Sequence, residues 1–271
     1  MRRIIHISDI HFGRTDAVVL GELAQKMHEL EGDLIVVSGD LTQRAKRAEF
    51  VEAKAFLDQF KMPKVVVPGN HDVPMYNLFH RFFDPYKRYD EILGKDREPV
   101  FVDEEIAVIG INTARSFVVK AGRINEEQVA KIKRTMCELE DQVLKVVVTH
   151  HPFDLPEDAD DDAIVGRAKE MMPKIAECGA DVFLAGHLHV SSVTHSGHRY
   201  RMASGYNALI IQAGTAASTR GRGEPNSFNV IEIEHPVLTL NRYECIVPAE
   251  GFKLATTEQF TSTDVGWERI G

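Results

Sequence analysis

Five short apolar runs in this chain each lead into an Asp, Asn or His, and that repetition limits the folds open to it. Ile4, Ile5 and Ile7 lead into Asp9-Ile10-His11, and Leu34-Ile35-Val36-Val37 leads into Gly39-Asp40. Val65-Val66-Val67 precedes Gly69-Asn70-His71-Asp72, Val146-Val147-Val148 precedes His150-His151, and Val182-Phe183-Leu184 precedes Gly186-His187-Leu188-His189. Runs this short and this rich in β-branched residues read as buried strands. Strands of a parallel sheet align their C-terminal ends along one edge, where open α/β folds build their sites. Residues scattered over most of the chain would therefore converge on one spot. The set supplies oxygen and nitrogen donors and no Cys, which suits hard or borderline divalent ions rather than a thiolate zinc site.

Between the runs the apolar period changes. Val18, Leu20, Leu23, Met27 and Leu30 within 16–30, and Phe50, Val51, Ala53, Phe56, Leu57 and Phe60 within 46–60, follow helical spacing. The alternation signals βαβ units and a mainly parallel sheet. After Asp72 an aromatic-rich helical insert is expected at about 74–97, with Tyr76, Phe79, Phe82, Phe83, Tyr86 and Tyr89. Strands are expected at about 99–102, 106–111 and 144–149, with helices at about 125–140 and 165–178. From 191 to 245 the pattern turns to short strands, near 191–195, 199–204, 208–213, 228–233 and 237–245, which read as the second sheet of a two-sheet core.

The five blocks, in this order, resemble the signature of the calcineurin-like metallophosphoesterases: Asp-x-His, Gly-Asp, Gly-Asn-His-Asp/Glu, His and Gly-His-x-His. Any one block is common by chance; all five in order, each after an apolar run, are specific. The resemblance spans about 4–189 and loosens towards 230. It implies an α/β fold with a two-sheet β-sandwich core flanked by helices, in four layers with mixed sheets. The chain then reads as a single domain over 1–271 with a helical cap at 74–97.

The resemblance also implies a dinuclear centre. Asp9, His11 and His189 would hold one ion, and Asn70, His150 and His187 the other, with Asp40 bridging. A water between two such ions ionises near neutral pH, and the resulting hydroxide attacks the phosphoryl group in line. His71 would be the catalytic acid, and Asp72 would orient its neighbours. Of His150 and His151, the position relative to Pro152 favours His150. The ions would be two of manganese, iron or zinc, with manganese or iron favoured. His6, His28, His80, His195, His198 and His235 lie outside the blocks and read as satisfied or exposed histidines.

Two departures locate the branch. Protein Ser/Thr phosphatases of this superfamily carry an acid three residues after the bridging Asp, where this chain has Gln43; here too the third block ends in Asp72 rather than Glu. The opening instead resembles the bacterial cyclic-nucleotide phosphodiesterase-like (class III) group. Hydrolysis of small or medium phosphodiesters is the implied activity. A DNA nuclease sharing the ligand blocks, a pyrophosphatase of lipid-A precursors and a non-catalytic metal-bearing scaffold are the rivals. A net charge of −9 argues against strong nucleic-acid binding.

Two further segments are candidates for substrate contact. Asn112-Thr113-Ala114-Arg115-Ser116 follows one strand, and Asn112 and Arg115 are the substrate-binding candidates there. Gly214-Thr215 through Arg220, Arg222 and Asn226 follows another, where a solvated surface turn is the favoured reading of Arg220 and Arg222. The acidic run Glu157-Asp158-Ala159-Asp160-Asp161-Asp162 reads as a solvated loop, with a rim of the site as the alternative. Three widely spaced cysteines, Cys137, Cys178 and Cys245, read as free thiols in a reducing compartment. With no signal peptide in view and no run approaching ~18 apolar residues, cytoplasmic is the expected location. The C-terminal strands and the insert offer surfaces for a homodimer, and a monomer is equally compatible.

Overall fold

Alternating side chains along the strands decide how the layers stack. A computed structural model describes residues 1–75, 78–117, 121–155, 161–200, 205–220 and 223–271. The chain runs through β1 (Arg2–Ile7), α1 (Ala17–Leu30), β2 (Leu34–Ser38), α2 (Arg47–Leu57) and β3 (Lys64–Val67). The short helices α3 (Leu78–Phe83) and α4 (Lys87–Ile92) then lead to β4 (Val100–Val102), β5 (Ile106–Gly110), α5 (Glu126–Met136) and β6 (Leu144–Val148). Next come α6 (Ala168–Ala176), β7 (Val182–Ala185), β8 (Ser192–His195) and β9 (Leu209–Gln212). The last strands are β10 (Asn226–Glu234), β11 (Val237–Cys245), β12 (Lys253–Thr263) and β13 (Gly266–Arg269).

Two mixed sheets result. One is ordered β13-β12-β11-β10-β1-β2-β3 and the other β4-β5-β6-β7-β9-β8. In the first, β1, β2 and β3 are parallel and β10 to β13 form an antiparallel meander against β1. In the second, β5, β6, β7 and β9 are parallel, with β4 and β8 antiparallel at the edges. Along β1 and β2, Ile4, Leu34 and Val36 face the other sheet, against Val108, Val146 and Leu184. Ile5, Ile7, Ile35 and Val37 face α1 and α2, where Leu23, Met27, Phe50 and Phe56 cover them. Val147, Phe183 and Ile210 meet Ile132, Met171 and Ile175 of α5 and α6. Burial on both faces explains why these strands are continuous apolar runs rather than alternating ones. The layers are helix, sheet, sheet, helix. Asp16 starts α1 by accepting the N–H groups of Val18 and Val19 at 2.9 and 3.1 Å.

The structure corrects three expectations. The C-terminal strands do not make the second sheet by themselves: β8 and β9 join it, while β10 and β11 join the first, beside β1. Their antiparallel hairpin partners β12 and β13, beyond 245, extend that meander further. Cys137 and Cys178 are joined as a disulfide, because the C-terminal ends of α5 and α6 bring their Cα atoms to 4.4 Å; only Cys245 is free, and it is buried. Of the strand expected at 199–204, Arg199 and Tyr200 instead follow a 3-10 turn at Ser196–His198, and 201–204 lie outside the described residues. Tyr76, Glu157 to Asp160 and Arg222 also lie outside them, as do the side chains of His80 and Asp161. Among the described residues, no helix is long and apolar enough to cross a membrane.

Candidate metal centre

The parallel strands of both sheets end at one edge, and their following residues turn sharply there. Asp9, His11, Asp40, His187 and His189 all hold positive φ, at 53°, 54°, 51°, 75° and 61°. L-residues disfavour this region, and such strain persists where surrounding structure over-determines it, commonly at functional sites. The turns redirect the chain immediately after each strand, so side chains from β1, β2 and β7 point into one space. Gly186 makes room for this: a Cβ there would lie 1.8 Å from Ser8 Oγ.

Asp9, His11, Asp40 and His150 are buried to 1 % exposure or less, and His189 to 5 %. Three groupings of potential ligand atoms lie within 4.8 Å of one another: Asp9, His11 and His189; Asp9, Asp40 and His150; and His150, His151 and His187. The Asp40 carboxylate faces two of the histidines. Its Oδ2 is 3.7 Å from His11 Nε2 and its Oδ1 is 3.5 Å from His150 Nε2. Asn70 joins through Oδ1, 3.0 Å from His150 Nε2 and 3.1 Å from His187 Nδ1.

The outward nitrogens of the rings are already engaged. His150 Nδ1 donates to the Ser38 carbonyl at 2.8 Å and His11 Nδ1 points at the Thr42 carbonyl at 3.4 Å. His189 Nδ1 meets Thr215 Oγ1 at 2.7 Å. The two carbonyls fix the tautomer of His150 and His11, and all three partners turn Nε2 towards the centre. Asp9 Oδ2 accepts from Ser8 Oγ at 2.6 Å and from the His187 N–H at 3.0 Å. Asp9 Oδ1 and His11 Nε2 are buried without a hydrogen-bond partner among the described residues. Unpaired polar atoms in a dry site are costly. A cation between them would remove that cost, so the residues fit divalent ions.

The electrostatics agree. Burial opposes ionisation of Asp9, yet His189, His11 and His150 hold its carboxyl well below the usual range. Asp40 is likewise held low against burial by His150, His11 and His71. Burial lowers His71 and His189, and burial with His150 lowers His187 to about 3. His11 runs the other way: Asp9 and Asp40 outweigh its burial and raise it. Asp72 is pushed up to about 6 by burial and by Asp40.

Asp72 ties two loops together. Its carboxylate accepts the N–H groups of Leu41, Thr42 and Gly69 at 3.2, 2.8 and 2.9 Å and the Thr42 hydroxyl at 2.9 Å. Its neighbour His71 donates its own N–H to Asp40 Oδ1 at 2.8 Å. The His71 ring is fixed at both ends: Nδ1 donates to the Gln43 carbonyl at 2.9 Å, and Nε2 accepts from Arg220 Nη1 at 2.9 Å.

Not every candidate residue reaches this cluster. Arg115 spends its donors on the carbonyls of Asn112 and Ala114 and on Gln128, at 2.7, 2.9 and 2.9 Å. Asn112 Oδ1 accepts from the Ala114 N–H. Both line a polar groove of about 510 Å³ with Tyr86, Arg97 and Arg134, and that groove includes none of the carboxylate–histidine cluster. Arg220, expected in a solvated turn, is instead half-buried against His71. His151 is buried beside the cluster with Nδ1 2.8 Å from Thr113 Oγ1. His6 sits at full burial under the site, Nε2 2.9 Å from Ser38 Oγ. Ser8, which supports Asp9, carries no pattern of its own in the sequence, and Gln43, whose carbonyl supports His71, stands out there only as a departure from the Ser/Thr phosphatase pattern.

Comparison with known proteins adds to this geometry. A family model described as calcineurin-like phosphoesterase matches residues 2–191. The chain is 28% identical over 165 residues to the 3',5'-cyclic adenosine monophosphate phosphodiesterase CpdA of Escherichia coli K12, covering 56% of each protein. It is 25% identical over 139 residues to a Synechococcus protein named "Probable cyclic nucleotide phosphodiesterase", covering 50% of this chain and 47% of that one. The chain thus spans about half the length of the curated relatives it matches. Among solved structures, a dimetal phosphatase from Danio rerio superposes with a TM-score of 0.68 at 12% identity, covering 97% of this chain and 99% of that one. The yellow lupin purple acid phosphatase PPD1 gives 0.69 at 10% identity, covering 96% and 53%. These two likenesses concern the fold.

Proposed function

This chain belongs to the calcineurin-like phosphoesterase family, and on that premise we propose that it is a dinuclear metal-dependent phosphodiesterase acting on small or medium phosphodiesters of the cyclic-nucleotide kind. The observation that carries the reading is the Asp40 carboxylate, whose two oxygens face His11 and His150 at 3.7 and 3.5 Å. One carboxylate serving two histidine groups is what a bridging ligand requires. The relatives named as cyclic nucleotide phosphodiesterases support the substrate class.

In this reading Asp9, His11 and His189 hold one ion and Asn70, His150 and His187 the other, with Asp40 shared. Manganese or iron is favoured over zinc. When bound, the ions supply an activated water and offset charge on the phosphoryl oxygens. The chain's residues do the rest. The Ser38 and Thr42 carbonyls hold His150 and His11 in their working tautomer, and the Thr215 hydroxyl orients His189. Asp72 fixes the loop that carries Asp40 against the turn that carries Asn70 and His71. His71 handles the proton of the leaving oxygen through Nε2, since Nδ1 is committed to the Gln43 carbonyl. The chain acts as a single domain with α3 and α4 as a cap. The C-terminal strands and the cap offer surfaces for a homodimer, and a monomer is equally compatible.

Turnover of the manganese-loaded protein on matched pairs tests this: bis-p-nitrophenyl phosphate against p-nitrophenyl phosphate, and cyclic AMP against AMP. Preference for the diesters, lost in Asp40→Ala, is expected. Cleavage of the monoesters alone would overturn the diester assignment.

A further inference from the structure

We propose that Arg220 is a substrate-binding residue whose guanidinium takes hold of the phosphoryl group entering beside His71. The inference rests on the phosphoesterase reading above and adds a group that lies outside every motif block. Its Nη1 is 2.9 Å from His71 Nε2 and 3.5 Å from Nδ1. It is half-buried against that ring, and the backbone N–H of His71 is itself held by Asp40 Oδ1 at 2.8 Å, so Arg220 faces the centre.

What Arg220 lacks is as telling as what it touches. No carboxylate ion pair to it exists among the described residues, whereas Arg3, Arg167 and Arg199 each sit on a carboxylate at 2.6–2.7 Å. A guanidinium carries five N–H donors in a planar fork matched to carboxylate or phosphate. The His71 ring engages one edge of that fork and leaves donors over. Arg115 is the useful contrast, because carbonyls and Gln128 consume its fork and leave it a loop fastener. A half-buried arginine resting on an imidazole complements an anion far better than the contact it now has, and phosphate is the anion this family handles.

The backbone under Arg220 is held in advance. The segment before it pairs with the loop that follows β1: Thr15 and Ser218 form a bridge, and Thr219 N–H and the Ser218 hydroxyl reach the Arg14 carbonyl at 3.0 and 3.3 Å. Arg220 N–H donates to Ser218 Oγ at 3.2 Å, and Asn226 Nδ2 holds the Ser218 carbonyl at 3.0 Å. The same β1 loop begins with Asp9 and His11. Arg220 is thus indexed to those residues, and an incoming phosphoryl group needs only a side-chain movement to exchange His71 for itself.

Calorimetric titration of inorganic phosphate into the manganese-loaded protein tests the assignment, with turnover of bis-p-nitrophenyl phosphate measured alongside. R220A should weaken phosphate by about tenfold to a hundredfold, the range for a lost charge-assisted contact, and kcat/KM should fall comparably. R220K should recover part of the loss, and added guanidinium should restore phosphate binding to R220A. R220Q separates the roles, because it can still donate to His71 but carries no charge: full phosphate affinity in R220Q or R220A overturns the proposal. Should R220A fail to fold, R220Q and R220K decide alone. A wild type that binds phosphate but cleaves no ester sinks the phosphodiesterase reading while the phosphate series still decides Arg220. A wild type that binds no phosphate overturns the Arg220 assignment directly.

Discussion

Replacing Asp72 by Asn should change the pH dependence of stability in a calculable way. In the metal-free protein the Asp72 carboxyl titrates at about 6, against an ordinary value of 3.8, because burial and Asp40 disfavour its charge. A group with a raised folded pKa stabilises fully below its unfolded value, and that contribution is lost as pH rises through the folded one. At ~1.4 kcal/mol per pH unit the full effect is roughly 3 kcal/mol. About 2 kcal/mol of it falls between pH 4.5 and 7.5. An asparagine at this position cannot ionise and lacks this dependence. It carries a different cost, independent of pH: its NH2 group must face backbone N–H donors that the carboxylate accepts from Leu41, Thr42 and Gly69. Each buried donor left unpaired costs ~1–3 kcal/mol. Urea unfolding of both proteins in EDTA should therefore show Asp72→Asn less stable at pH 4.5 by a few kcal/mol, with the gap narrowing by about 2 kcal/mol at pH 7.5. A gap that stays constant or widens over this range would refute the reasoning, since other titrating groups are common to both proteins.

Thr215→Val keeps the side-chain shape but removes the hydroxyl 2.7 Å from His189 Nδ1. It should weaken manganese binding by about 10–100-fold in chelator competition, and an unchanged affinity would mean that His189 is not a ligand. Gly39→Ala should lower stability by roughly 2–4 kcal/mol, because Gly39 holds φ +92° and a Cβ there would approach His150 Nδ1 to 2.6 Å; an undisturbed melting midpoint would contradict the geometry. Metal present at ~100 times its dissociation constant should stabilise the fold by about 3 kcal/mol. Chelation should therefore depress the melting midpoint, and a midpoint indifferent to EDTA would count against a centre this buried.

How much of this is visible in the residues alone follows from what is local. An apolar run ending in Asp or His is a local pattern, so β1, β2, β3, β6 and β7 and the residues after them could be found directly. The glycine before Asp40 or His187 is local too, since it answers to a turn or a close approach at that point. Sheet membership is not local. Nothing in 226–245 says that these strands lie against β1 rather than beside β9, because both neighbours offer the same apolar face. The Cys137–Cys178 contact depends on how α5 and α6 end against one another, which spacing along the chain does not encode. Arg220 is hidden for a related reason. An arginine in a Gly-rich turn looks the same whether it meets water or His71, and only the pairing of Ser218 with Thr15 aims it inward.

The position of β10 has a consequence for how the protein is made. β1 occupies the interior of its sheet, with β2 on one side and β10 on the other, Ile4 opposite Ile231 and Ile5 opposite Val230. During synthesis one flank of β1 stays open until residues near 230 leave the ribosome, long after every ligand block has been translated. An unpaired flank in an apolar strand is a template for wrong pairing, and late closure of so distant a contact slows folding. Nascent chains halted before β10 should accordingly be protease-sensitive around Asp9 and Asp40, whereas chains carried past β11 should resist cleavage there.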